Sequence, residues 1–340
     1  MMLVDYAAPV AASPIEAEAA AVGAELVGYD GFNAAETRHD VFTTLALVAR
    51  ATRRIALQSA IAVAFARNPM TVAVLANDLR LVSEGRFRLG LGSQVKPHIE
   101  RRFAMPWSRP AARMEEFVTA MRAIWHAWAT GGRLMFRGKF YQHTLMTEFF
   151  DPGPNPFGNP PVQLAAVGEL MVAAAGRVAD GLLVHPLTSE TYLKDRILPA
   201  VRAARGGDLD GFRIEMSPMV VLGADEAARA RAERAVRGQI AFYASTPAYR
   251  PVLELHGWGE LADRLNRLSR RGSWDEMAGA IPDDVLDAFA VAGDPATVAA
   301  GLRDRFGSAI DRISLYTPYD TDRYQLAAVR SAITTSTLSG

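Results

Sequence analysis

The sequence predicts an α/β fold, a (β/α)8 TIM barrel carrying two insertions. Short apolar runs alternate with longer helical patterns along almost the whole chain, eight such runs can be counted, and no linker or composition break divides the 340 residues. Strands separated by helices pair in parallel, and eight such units suggest a closed barrel. A doubly wound sheet stays open on periodicity alone. The lack of a break between two halves favours one barrel-sized domain over 1–340.

The runs follow in order. "MLVDY" (2–6) precedes a helix from Ser13 or Pro14 to about Val27, and "GFNAAE" (31–36) precedes a helix over 42–52. "RIALQSAIAVAF" (54–65) comes third; Asn68 then caps a helix over 69–83. "RFRLGLG" (86–92) is the fourth run and opens into a charged, proline-punctuated loop. In the next helix, over 109–128, Met114, Phe117, Val118, Met121, Ile124, Trp125 and Trp128 share one face, the spacing of a helix packed on a core. The first insertion, about 133–161, is a hairpin (133–146) and a loop too rich in proline for helix or strand (151–161).

Alternation then resumes. "VQLAAVG" (162–168) enters a helix over 169–178, "GLLVHP" (181–186) one over about 189–204, and "IEMSPMVVLG" (214–223) a long helix from near Ala224. The second insertion, about 247–288, is helical and charged; Trp258 and Trp274 either pin its helices to the barrel or line a substrate lid. "GDPATVAAGLRDRFG" (293–307) is a helix with Asp294 as N-cap and Pro295 in the first turn. "RISLYTP" (312–318) closes the series, with no helix expected after it.

Composition excludes several classes. With 37 basic and 37 acidic side chains the formal charge is zero, which argues against nucleic-acid or anionic-membrane partners. There is no cysteine, so disulfides, thiolate nucleophiles and iron–sulfur clusters are out. The histidines at 39, 98, 126, 143, 185 and 256 show no metal-ligand spacing, and no metal is expected. No run approaches the roughly 20 apolar residues of a membrane helix. "MMLVDYAAPVAASP" lacks the basic region of a signal peptide. The expectation is a soluble, cytoplasmic protein acting on a small molecule, a homodimer by default.

In a parallel barrel the strand ends and the loops after them build the site. Glu36 and His39 follow the second run and either face that mouth or are solvated. The glycines at 90 and 92 make a tight exit from the sheet or let backbone approach a ligand. "GLGSQV" (90–95) resembles half of a dinucleotide fingerprint, but the third glycine is missing. Gly168 exposes the amides of Glu169, Leu170 and Met171 at a helix start, a place where backbone can hold a phosphate, or makes an ordinary strand–helix turn.

Taken together, "GYDGFNAAETRHD", "SAIAVAFARNPM", "SEGRFRLGLGSQVKPHIERRFAMPW", "RMEEFVTAMRAIW", "PPVQLAAVGELM", "AGRVADGLLVHP" and "GDPATVAAGLRDRFG" resemble the luciferase-like monooxygenase superfamily, especially its branch using the deazaflavin coenzyme F420. The resemblance implies a hydride-transferring oxidoreductase with its ring at the ends of strands three and four. Ser59, Ala60 and Ile61 match a bulge with a non-prolyl cis peptide behind that ring, and Gly92, Gln94 and His98 would line it. The amides of 169–171 after Gly168 would take the cofactor phosphate. Glu36 matches the family's acid near the ring; where the dehydrogenases of the branch follow it with histidine, this chain has Thr37, with His39 two further on. That departure points away from alcohol oxidation and toward reduction of an unsaturated small molecule, or its reverse. The same resemblance allows an FMN-dependent monooxygenase served by a partner reductase. A cofactor-binding protein without catalysis is the third reading.

Overall fold

The computed structural model describes residues 2–335. Eight strands close a parallel barrel: β1 (Leu3–Ala7), β2 (Gly31–Ala34), β3 (Ala56–Ser59), β4 (Phe87–Gly92), β5 (Val162–Ala166), β6 (Gly181–Val184), β7 (Arg213–Met216) and β8 (Arg312–Ser314). They neighbour one another in sequence order, β8 pairs back onto β1 through Leu3↔Arg312, and the β3–β4 seam is pinned by Leu57↔Phe87 and Gln58↔Arg88. Helices α1 (Pro14–Val27), α2 (Val41–Ala51), α3 (Pro69–Val82), α4 (Pro110–Thr130), α5 (Glu169–Val178), α6 (Leu198–Ala204), α7 (Glu226–Ala244) and α8 (Pro295–Phe306) join successive strands. Among the described residues no helix is long and apolar enough to cross a membrane.

Local chemistry starts these helices where the sequence places them. Ser13 and Glu16 form a reciprocal capping box on α1, while Asp40, Asn68, Asp225 and Asp294 each accept the backbone N–H three residues on. The apolar face of α4 buries Met114, Phe117, Val118, Met121, Ile124, Trp125 and Trp128, and the Trp125 indole donates to the Ala73 carbonyl of α3. The hairpin of the first insertion is present, Phe136–Arg137 against Gln142–His143.

The bulge that the resemblance implies is present: the Ala60–Ile61 peptide is cis, Ala62–Val63 resumes pairing with β4, and a 3-10 turn follows at Ala64–Ala66. Three expectations are corrected. The seventh run breaks at Ser217–Pro218, where proline has no N–H for the ladder. Its second half, Met219–Val221, pairs instead with Ala290–Ala292, a strand hidden at the end of the second insertion. A one-turn π-helix, His98–Arg102, lies between β4 and α4. Finally, β8 is followed by a helix after all, Arg323–Thr335, which packs on α8 and whose Arg330 donates to the Gly28 carbonyl. The second insertion forms helices Arg250–Leu255, Gly259–Arg271, Trp274–Gly279 and Asp283–Phe289. Trp258 stacks on His256 with centroids 4.5 Å apart, and Trp274 stays half exposed.

Candidate active site at the barrel mouth

Alternation along each strand decides what faces the barrel axis. One inward layer is ionic: Arg88 of β4 donates to Asp5 of β1 and Glu215 of β7, and Arg312 of β8 also donates to Asp5. Two carboxylates face two guanidiniums, so the layer is neutral in sum. Burial raises the pKa of Asp5 and of Glu215 above the ordinary carboxylate range, outweighing the arginines that pull the other way. Gly31 is required here, because a Cβ would lie 2.3 Å from the Asp5 carboxylate.

Above this floor the inward positions are small or neutral: Ala7, Asn33, Gly90, Ala165 and Ser217, with Ser314 hydrogen-bonded to Ser217 at 2.7 Å. Asn33 Oδ1 is buried and has no partner among the described residues. The wall formed by β3 and β4 is tied by Ser59, whose hydroxyl donates to the Gly90 carbonyl and accepts its N–H at 2.9 and 3.0 Å.

The glycines at 90 and 92 answer to the protein's own packing. A Cβ at Gly90 would stand 1.9 Å from the Ser59 carbonyl oxygen, and one at Gly92 2.8 Å from Ile61 Cδ1. The space their missing side chains leave is filled from within the protein. Of the two readings of these glycines, the tight exit from the sheet has its reason in this packing.

The acid after β2 is fully engaged. Glu36 receives both Arg67 nitrogens at 2.7 Å and the Val63 N–H at 2.7 Å, with its side chain 8% exposed. Arg67 also reaches Asp40 at 2.6 Å. Burial works against this guanidinium, yet the two carboxylates together hold its pKa above the ordinary value. Thr37 turns its hydroxyl to the Val10 carbonyl, while Arg102 holds the Thr37 carbonyl at 2.7 Å. His39 is exposed and is not a partner of Glu36. The structure thus brings Glu36, Ser59, Ala60, Ile61 and Gly92 together at the β2–β4 side and leaves His39 apart. Gln94 sits in the left-handed region at φ 60°, its side chain accepting the Val95 N–H, and His98 is exposed at the start of the π-helix.

Gly168 caps α5 in extended conformation without any side-chain cap, and no atom lies within 4 Å of where its Cβ would be. The amides of exposed Glu169 and Leu170 open the helix, while that of half-buried Met171 donates to the Gly168 carbonyl at 3.0 Å. No group of three or more His, Asp or Glu side chains among the described residues could hold a metal ion.

A second set of side chains was not singled out by sequence reasoning. His185, just past β6, stacks on Tyr249 at 4.5 Å and meets Tyr243 edge-on at 4.6 Å. Tyr243 shares a 3.2 Å hydroxyl contact with Tyr316, just past β8. Burial pushes the His185 pKa down to about 3 and lifts Tyr249 to about 12, so both are neutral at physiological pH. These residues lie far apart in sequence, and only the tertiary fold gathers them.

Known proteins corroborate the architecture. The luciferase-like monooxygenase family matches residues 4–312. An uncharacterized protein of Mycobacterium tuberculosis is 52% identical over 297 residues, 86% of this chain and 87% of that one. The 5,10-methylenetetrahydromethanopterin reductase of Archaeoglobus fulgidus is 26% identical over 293 residues, covering 84% and 83% of the two chains. The structure of the coenzyme F420-dependent tetrahydromethanopterin reductase from Methanopyrus kandleri superposes with a TM-score of 0.78 at 20% identity, over 97% of each chain. The chain belongs to the luciferase-like monooxygenase family.

Proposed function

We propose, with that family membership as the premise, that this protein is an oxidoreductase using the deazaflavin coenzyme F420 to move hydride to or from a small organic substrate. The observation that carries the reading is the uncapped, sterically open start of α5 beside a mouth whose inner wall is uncharged. The buried, unpartnered Asn33 Oδ1 adds an acceptor for a ring N–H or hydroxyl. These residues fit the group: the amides of Glu169 and Leu170 would hold its phosphate, with Met171 beside them, and the Ile61–Gly92 wall would back its ring. Kinship with the tetrahydromethanopterin reductases favours the deazaflavin over FMN.

When bound, the deazaflavin supplies a hydride-carrying carbon; the chain supplies position and a dry surface. Glu36 acts as a positioning residue, because its carboxylate is spent on Arg67 and on the Val63 amide directly behind the wall. Gln94 and His98 would border the ring from the β4 loop, and Thr37, with His39 two residues on, would act through its carbonyl's contact with Arg102 of that loop. The closure of the barrel between Leu3 and Arg312 supports one catalytic domain over 1–340. A cytoplasmic homodimer completes the reading.

Fluorescence-quench titration with oxidised F420, and with FMN in parallel, tests it. Saturable binding of F420 with little affinity for FMN is expected. Preference for FMN would replace this reading with a flavin monooxygenase and its partner reductase. Retention of F420 without turnover on any donor or acceptor would leave a binding protein, and binding of neither would overturn the cofactor assignment.

A further inference from the structure

The His185–Tyr249 pair takes no part in the roles assigned so far. In a closed ring of eight strands, β7 stands opposite β3. His185 follows β6 and Tyr316 follows β8, so the imidazole and phenols flank the end of β7, across the mouth from Ile61 and Gly92. A flat ring lying on the β3–β4 wall would have this cluster beyond its free face, with the substrate between them.

Hydrogen bonding fixes where the protons are. His185 Nδ1 accepts the Leu187 N–H at 3.1 Å, so it carries no proton itself. The neutral ring must then be protonated on Nε2, which lies 3.0 Å from the Tyr249 hydroxyl and donates to it. The Tyr249 oxygen is used as an acceptor, and its own hydrogen has no acceptor among the described residues. A half-buried phenol with an uncommitted proton, oriented by a donor behind it, is a ready hydrogen-bond donor to a ligand.

We infer that the Tyr249 hydroxyl, oriented by His185, binds the acceptor oxygen of a neutral carbonyl substrate. Its neighbours Tyr243, Tyr316 and His185 are uncharged, so the cluster offers no cation to balance a carboxylate or phosphate and suits a neutral, largely apolar molecule. Tyr249 is the contact residue and His185 the positioning residue. In the reducing direction the carbonyl carbon, or the alkene carbon conjugated to it, would receive hydride from the reduced deazaflavin. The negative charge arriving on oxygen would be met by the phenol hydrogen, and a proton taken from Tyr249 would be restored from water. This inference rests on the proposed hydride chemistry for its purpose, but its contact can be read without cofactor.

The test uses 4-(dimethylamino)cinnamaldehyde, whose visible absorbance moves to longer wavelength when its carbonyl oxygen accepts a hydrogen bond. The full-length protein without cofactor should bind the aldehyde with such a shift. Tyr249→Phe should lose the shift and bind about tenfold more weakly, the size of one good hydrogen bond. His185→Phe should diminish the shift, and His185→Gln, which keeps a donor, should restore part of it. No shift with the parent protein, or an undiminished shift in Tyr249→Phe, overturns the inference. Should Tyr249→Phe fail to fold, an undiminished shift in His185→Phe does so instead. The F420 titration of the same variants is a separate readout: loss of F420 binding in the parent protein sinks the cofactor assignment and leaves the aldehyde result standing.

Discussion

At the scale of single residues, burial has turned charged and titratable groups toward structure. His185 is the sharpest case. Its pKa falls from 6.5 in the unfolded chain to about 3 in the folded one, because burial penalises the imidazolium. Between these values the unfolded state binds more protons, so stability is full above pH 6.5 and is lost as pH falls toward 3, at up to about 1.4 kcal/mol per pH unit. Urea unfolding at pH 7 and pH 5 should show that loss, and His185→Phe should lessen it. Glu36 makes the complementary point. Removing its carboxylate in Glu36→Ala leaves the Val63 amide and much of Arg67 uncompensated, and should cost about 2 kcal/mol in the same assay. A Glu36 acting only as an exposed acid would cost almost nothing.

At the scale of elements, the two glycines of β4 separate by what their missing side chains would strike. Gly90→Ala drives a methyl into the Ser59 backbone carbonyl, which cannot move without breaking the β3–β4 seam; Gly92→Ala meets only the end of the Ile61 side chain. The first should destabilise by 3 kcal/mol or more, roughly the upper range for overpacking, and the second by about 1, as melting would show. The start of α5 offers an opposite pair of effects. Gly168 already has the extended backbone that an N-cap aspartate uses, so Gly168→Asp should stabilise the helix by roughly 0.3 kcal/mol. The same carboxylate would occupy the amides proposed for the phosphate, and F420 affinity should fall about tenfold or more. Stabilisation with unchanged F420 binding would remove the phosphate from this helix.

Elements were also where the sequence was most readable. The short apolar runs, α4's apolar stripe and the caps at Ser13, Asn68 and Asp294 are local signals, and the structure places a strand, a buried face or a cap at each. The break in the third run carries no turn residue and is legible only through the family resemblance, whereas Pro218 marks the break in the seventh; what an apolar run does not reveal is that its second half changes partners. The site was half legible. Glu36 and the β3–β4 wall lie near one another through motif-length stretches, whereas the reason for Gly90 sits 31 residues away at Ser59. His185 and Tyr249 are 64 residues apart, and nothing local marks either of them.

At the scale of the whole molecule, the ionic floor joins β1, β4, β7 and β8, strands drawn from both ends and the middle of the chain. An alternating strand reading gives no hint that Arg88 and Glu215 point inward to each other rather than out to water. Arg88→Met removes the one cation shared by both acids and should cost about 3–5 kcal/mol at pH 7, since two buried carboxylates lose a partner. A loss under 1 kcal/mol in chemical denaturation would show that the floor hydrates freely.

The placement of Tyr249 has a consequence for how such a protein can diversify. The wall at β3 and β4 and the start of α5 belong to the barrel itself, but Tyr243 and Tyr249 are carried by the end of α7 and the short turn at Pro247–Tyr249, where the helical insertion begins. One face of the mouth is thus inherited with the scaffold, and the contact residue of the opposing face, Tyr249, with an appendage. Grafting a foreign segment between α7 and α8 would exchange the Tyr249 contact and leave the β3–β4 wall as it is, so one wall can be kept while what faces it varies.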